Sequence, residues 1–69
     1  MLPVNLDDLT TEELRGKIKA PDTPRPYIAY IRYLLLYRDA EASKQHVTAE
    51  GYAEQCDQLY LDMPKELQW

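Results

Sequence analysis

His46 and Cys56 are the only imidazole and the only thiol in this 69-residue chain, so nucleophilic or general acid–base chemistry near neutral pH would have to begin with them. Covalent catalysis by a thiol needs a base in contact with it and a third group to orient that base. His46 falls in a polar connection, whereas Cys56 falls on the inward stripe of a helix, where a cysteine behaves as a small apolar side chain. Gly16 and Gly51, the only glycines, stand apart, so no glycine-rich phosphate loop is present. No set of nucleophile, base and orienting group can be assembled. The expectation is a protein without catalytic activity, cofactor or small-molecule substrate.

Two charged sets remain. Glu50, Glu54 and Asp57 follow i, i+4, i+7 spacing, which places three carboxylates on one helical face. Like charges so spaced weaken an isolated helix by a few tenths of a kcal/mol per pair, so the face is either simply solvated or matched by a partner's Lys and Arg. Metal binding is not expected there, because hard cations want oxygen ligands gathered in a loop. Arg25, Arg32 and Arg38 lie six or seven residues apart and can share one side of a helix. They either solvate its exposed edge, their stems covering tyrosine rings, or touch phosphate or an acidic partner.

The chain also carries six tyrosines and Trp69, more aromatic surface than a small helical core needs. Aromatic rings with a polar tip suit the rim of a core or a protein interface, and Tyr27, Tyr37 and Trp69 are the candidates for contact with a partner.

These groups must be positioned by a single small domain. A 45% apolar content with 29% charged residues and a net charge of −4 describes a soluble globular chain. Twelve acids against eight bases oppose a phosphate-driven partner, since nucleic-acid domains carry an excess of Lys and Arg. One cysteine allows no internal disulfide and suggests a reducing, intracellular setting. The longest apolar run is shorter than the ~20 residues a membrane span needs.

That run, Tyr27 to Tyr37, is apolar or aromatic throughout except for Arg32, and a helix apolar on so many sides must be covered by other elements. Residues 1–9, with Leu2, Pro3, Val4 and Leu6, read as an extended arm. Thr10 and Glu13 form a capping box, with Leu9 and Leu14 as its staple, and predict a short helix over residues 10–19 with Leu9, Leu14 and Ile18 inward. Pro21 and Pro24 punctuate a turn. Asp22 or Thr23 is then placed to cap a central helix over residues 24–44. Thr48 is a good N-cap for a third helix over residues 48–63, ended by Pro64, with one further turn available between Lys65 and Trp69.

The run Arg25-Pro26-Tyr27-Ile28-Ala29-Tyr30-Ile31-Arg32-Tyr33 resembles the opening of an HMG box, whose first helix begins RPxxAF followed by an aliphatic residue and, two positions on, an aromatic. With a one-residue shorter connection, Tyr52 and Cys56 fall where that family's second helix has inward aliphatics. Tyr60 then falls at its tryptophan, and Met63-Pro64 at the leucine and turn that follow. The resemblance covers Pro24 to Glu66 and two helices of three; the family's long third helix has no counterpart before Trp69. It implies a nuclear, DNA-bending module in which Ile31 is an apolar wedge into the minor groove and Arg25, Arg32 and Arg38 meet phosphate. The acidic balance of the chain runs against that implication.

The resulting expectations are an all-α, three-helix domain in which the second and third helices form a hairpin, with Ile28, Ile31, Leu35, Tyr52, Cys56, Leu59 and Tyr60 in the core. The expected function is that of a non-catalytic interaction module, regulatory or inhibitory. It would bind a protein, or a second copy of itself, through Tyr27, Tyr37, Trp69 and the Glu50, Glu54, Asp57 face. HMG-box-like DNA binding is the alternative. Helix two offers more apolar surface than two short neighbours can cover, so either the chain's own ends, with Leu67 and Trp69, or a partner must cover the rest.

Overall fold

The computed structural model describes residues 5–69, which form three α-helices and two short 3-10 turns with no strand among them. The part of the expected extended arm that holds Leu2, Pro3 and Val4 lies outside the described residues.

Leu6–Asp8 is a 3-10 turn rather than extended arm, begun by Asn5, whose side chain accepts from the Asp7 amide. The turn drives Leu6 into the core with no exposed surface. Helix α1, Thr11–Lys19, starts as expected. The Glu13 amide donates to Thr10 Oγ1 at 3.1 Å and the Thr10 amide to Glu13 Oε1 at 3.1 Å. Its one fully enclosed residue is Leu14.

Helix α2, Arg25–Ala42, needs no side-chain cap; neither Asp22 nor Thr23 fills that role. Pro24 supplies its carbonyl to the amides of Tyr27 and Ile28, and Pro26 sits in the first turn, where a missing N–H leaves nothing unsatisfied. The helix ends two residues before the expected Lys44. There the Gln45 amide donates to the Ala40 carbonyl at 2.8 Å and the Lys44 amide to the Glu41 carbonyl at 3.1 Å. With Lys44 at φ 59°, this is a Schellman ending in which a lysine occupies the left-handed position that usually goes to glycine.

Because that ending reverses the chain within Ser43–Gln45, α3 begins at once and runs His46–Asp62. Thr48 is inside the helix, not its cap, and Gln45 at the cap makes no side-chain bond. Docking against α2 overrides the local capping preference. Pro64 follows α3, and Lys65–Leu67 forms the expected extra turn.

The core is built on α2. Leu6, Leu14 and Ile31 are wholly enclosed, with Tyr27, Tyr30, Leu34, Cys56 and Met63 buried around them. Of the seven expected core residues, Ile31 and Cys56 are buried, while Ile28, Leu35, Tyr52, Leu59 and Tyr60 are half-buried. Leu6, which no helical period picks out, is wholly enclosed, and Met63, on the inward stripe that helical spacing predicts for the third helix, is buried beside Cys56, while the other members of that stripe lie at the rim.

Candidate functional site

The chain's own C-terminal segment covers the aromatic side of α2. Trp69 meets Tyr30 edge-on, with ring centroids 5.0 Å apart, and also packs on Tyr27 and Tyr60. The Tyr27 hydroxyl donates to the Leu67 carbonyl at 2.6 Å, that of Tyr60 donates to the Trp69 carbonyl, and Gln68 Nε2 donates to the Tyr60 carbonyl at 2.9 Å. Tyr27, expected as a contact residue, is buried, because its ring and hydroxyl are both used internally; Trp69 is half-buried as the cover of the aromatic cluster. Burial pushes the Tyr27 hydroxyl above its usual titration range.

The other side of the α2–α3 hairpin is open. Here Asp7, Tyr30, Leu34, Tyr37, Ala53 and Cys56 line a groove of about 330 Å³, with Asp57 and Arg38 at its edges. Leu34, Cys56 and Tyr30 are buried residues and give it an apolar floor. Tyr37 forms a half-buried wall, and Asp7 and Asp57 are exposed. The Tyr30 hydroxyl donates to Asp7 Oδ1 at 2.8 Å. Arg38 is turned toward the N-terminal side, its guanidinium donating to the Asp7 carbonyl at 3.2 Å and lying 3.5 Å from Thr11 Oγ1.

The groove's titratable floor is held neutral. Burial, then the Asp7 and Asp57 carboxylates, push the Cys56 thiol up to about 11. Burial, the hydrogen bond to Asp7 and the surrounding negative charge drive the Tyr30 hydroxyl far above the ordinary tyrosine range. A thiol so placed is a poor nucleophile, because the thiolate is the reactive form. His46 is remote from Cys56 in role as well as sequence: it sits at the hairpin turn, its Nδ1 3.8 Å from Glu41 Oε2, with both side chains exposed.

The expected acidic face is present on the outside of α3, where Glu50, Glu54 and Asp57 are all exposed. Val47 and Leu61 share that side and are 86% and 67% exposed. Val47, Glu54 and Leu61 repeat every seven residues over about 21 Å of helix, with Glu50 and Asp57 between them. Of the arginine set, Arg25 and Arg32 are exposed, whereas Arg38 holds the N-terminal turn. Ile31, expected as a wedge toward DNA, has no exposed surface; it is the centre of the core.

Asp7 is the groove residue that sequence reasoning missed. Its contact with Tyr30 joins positions 23 apart, and no local pattern around it announces such a partner. Among the described residues no three His, Cys, Asp or Glu side chains converge as a metal site, and no helix is long and apolar enough to cross a membrane. No protein-family model matches the chain, and no curated protein or solved structure is significantly similar to it.

Proposed function

We propose that this protein is a non-catalytic interaction module that docks on a basic protein surface through the outer face of α3. The observation that carries the reading is the composition of that face. Among the described residues three large hydrophobics are exposed, and two of them, Val47 and Leu61, lie on this one side of α3 with Glu50 and Glu54 between. Apolar contacts joined to one sign of charge are what a partner surface of opposite charge recognises. A second copy of the chain fits this face poorly, since it would set carboxylates against carboxylates. With no chemistry of its own, such a module acts by occupying its partner's surface, in a regulatory or inhibitory way.

The test is affinity capture by the full chain, compared with the Glu50→Lys/Glu54→Lys and Val47→Ser/Leu61→Ser variants. A partner held by the wild type at low salt should be lost from both variants and weakened as salt rises. Retention of the same proteins by all three would overturn the reading. Duplex-DNA binding through Arg25 and Arg32 is the alternative suggested by the HMG-box resemblance. It is opposed by the enclosed Ile31 and by the engagement of Arg38. Submicromolar, steeply salt-dependent duplex binding lost on Arg25→Ala/Arg32→Ala would favour it instead.

A further inference from the structure

We infer that the groove between the N-terminal turn and the α2–α3 hairpin is a receptor for one cationic side chain, a lysine or arginine, projecting from the partner's backbone. The inference rests on the reading above only in that a protein supplies the side chain. Its location is separate: the groove opens beside Asp7 and Tyr37, and of the acidic row on α3 only Asp57 reaches its edge.

The shape and chemistry suit an amphipathic cation. At about 330 Å³ the groove lies at the small end of ligand sites, and its floor of Leu34, Cys56 and the Tyr30 ring takes an aliphatic stem. Tyr37 and Tyr30 offer aromatic surface, which attracts a cation placed over a ring face. Asp7 and Asp57 are exposed lining residues of the groove, near enough to its floor that both carboxylates oppose ionisation of Tyr30 and of Cys56. Asp7 Oδ1 is used by Tyr30; no other protein group bonds Asp7 Oδ2 or either Asp57 oxygen within the described residues. The one cation present, Arg38, is spent on the Asp7 carbonyl and Thr11. An incoming ammonium or guanidinium therefore finds free acceptors, while an anion finds none of its needs met.

The floor also selects against an anionic alternative. A thiol held protonated and a tyrosine whose hydroxyl is already donated give a surface without spare donors, so a carboxylate or phosphate would lose its hydration there without replacement.

The experiment is a titration of the full-length chain followed by its amide NMR spectrum. The probes are the capped tripeptide Ac-Gly-Lys-Gly-NH2, its arginine counterpart and the Nε-acetylated lysine version. The lysine and arginine peptides should shift the amides of Tyr37, Ala53, Cys56 and Asp57, with the acetylated peptide at least about tenfold weaker, the size of a 1.4 kcal/mol preference. Asp7→Asn keeps an acceptor for Tyr30 and Asp57→Asn changes an exposed side chain, so both variants should fold. Each should weaken the lysine peptide by about three- to fivefold, as loss of a partly solvated ion pair does. Equal response to the acetylated peptide, an unchanged affinity in the double variant, or shifts confined to Glu50 and Glu54 would overturn the assignment. Glu50→Lys/Glu54→Lys should leave peptide binding nearly unchanged, so a failure here and a failure of the α3 docking face are read separately.

Discussion

Tyr30 and Asp7, 23 residues apart, are joined by a 2.8 Å hydrogen bond from the phenol hydroxyl to Oδ1. That bond ties the N-terminal 3-10 turn to the central helix and closes one wall of the groove. Tyr30→Phe is expected to cost about 1.5–3 kcal/mol, the range for a bond to a charged acceptor, measured by urea denaturation. The folded state raises the titration of Tyr30, so the proton is bound more tightly in the native than in the unfolded chain. Its contribution is complete below the unfolded value of about 10 and declines as pH climbs beyond it. Stability should therefore fall in the alkaline range, and Tyr30→Phe should flatten that fall.

Cys56 should be inert in the native protein. The residue is 5% exposed and its thiol is pushed from 9.0 to about 11, leaving about a hundredfold less thiolate at neutral pH than an unperturbed thiol would have. Ellman's reagent is expected to react slowly with the native chain and rapidly in urea. The linkage sign matches that of Tyr30: a raised folded value means stability held below pH 9 and lost on the way to pH 11. Fast native labelling would contradict the burial.

Ile31→Ala should be the more damaging of two core truncations. Ile31 is wholly enclosed whereas Leu35 is half-buried, so Ile31→Ala is expected to cost about 2–5 kcal/mol. That is enough to unfold a chain of this size, whose stability is a few kcal/mol. Leu35→Ala should cost visibly less and leave a cooperative transition by circular dichroism.

Three backbone positions can be improved. Lys44 holds a left-handed φ of 59°, and Lys44→Gly should stabilise by about 1 kcal/mol, since a side chain there is strained. Gly16 and Gly51 lie in α1 and α3, and an added Cβ at either meets nothing within 4 Å. Gly16→Ala and Gly51→Ala should each raise stability by about 0.5–1 kcal/mol, read as a higher melting temperature.

The Trp69 cover can be removed. Trp69→Ala takes away the ring that packs on Tyr27, Tyr30 and Tyr60 and should cost about 3 kcal/mol, the low end for a half-buried aromatic. It should also expose a tyrosine surface that promotes self-association on sedimentation. In the wild type, the emission of this single tryptophan should be blue-shifted and should move to the red on unfolding.

Elements whose information is local can be read directly from the residues. The Thr10–Glu13 capping box starts α1, the prolines separate α1 from α2, the apolar run makes α2 the centre, and the three helices follow from these signals. The exposure of Glu50, Glu54 and Asp57 was legible for the same reason, because a helical period of 3.6 assigns faces without knowledge of neighbours. Features that depend on residues far apart in the chain emerge only once the helices pack. The Schellman ending reverses the chain within Ser43–Gln45, and α3, docked on α2, starts at His46 rather than at Thr48. Leu6, in a segment with no helical period, is wholly enclosed, whereas Leu35 and Tyr52 are half-buried. Tyr27 and Trp69, 42 positions apart, pack ring against ring, and Ile31 is wholly enclosed. The groove beside Asp7 has the same origin: its walls come from three elements, and no spacing within one of them records the presence of the other two.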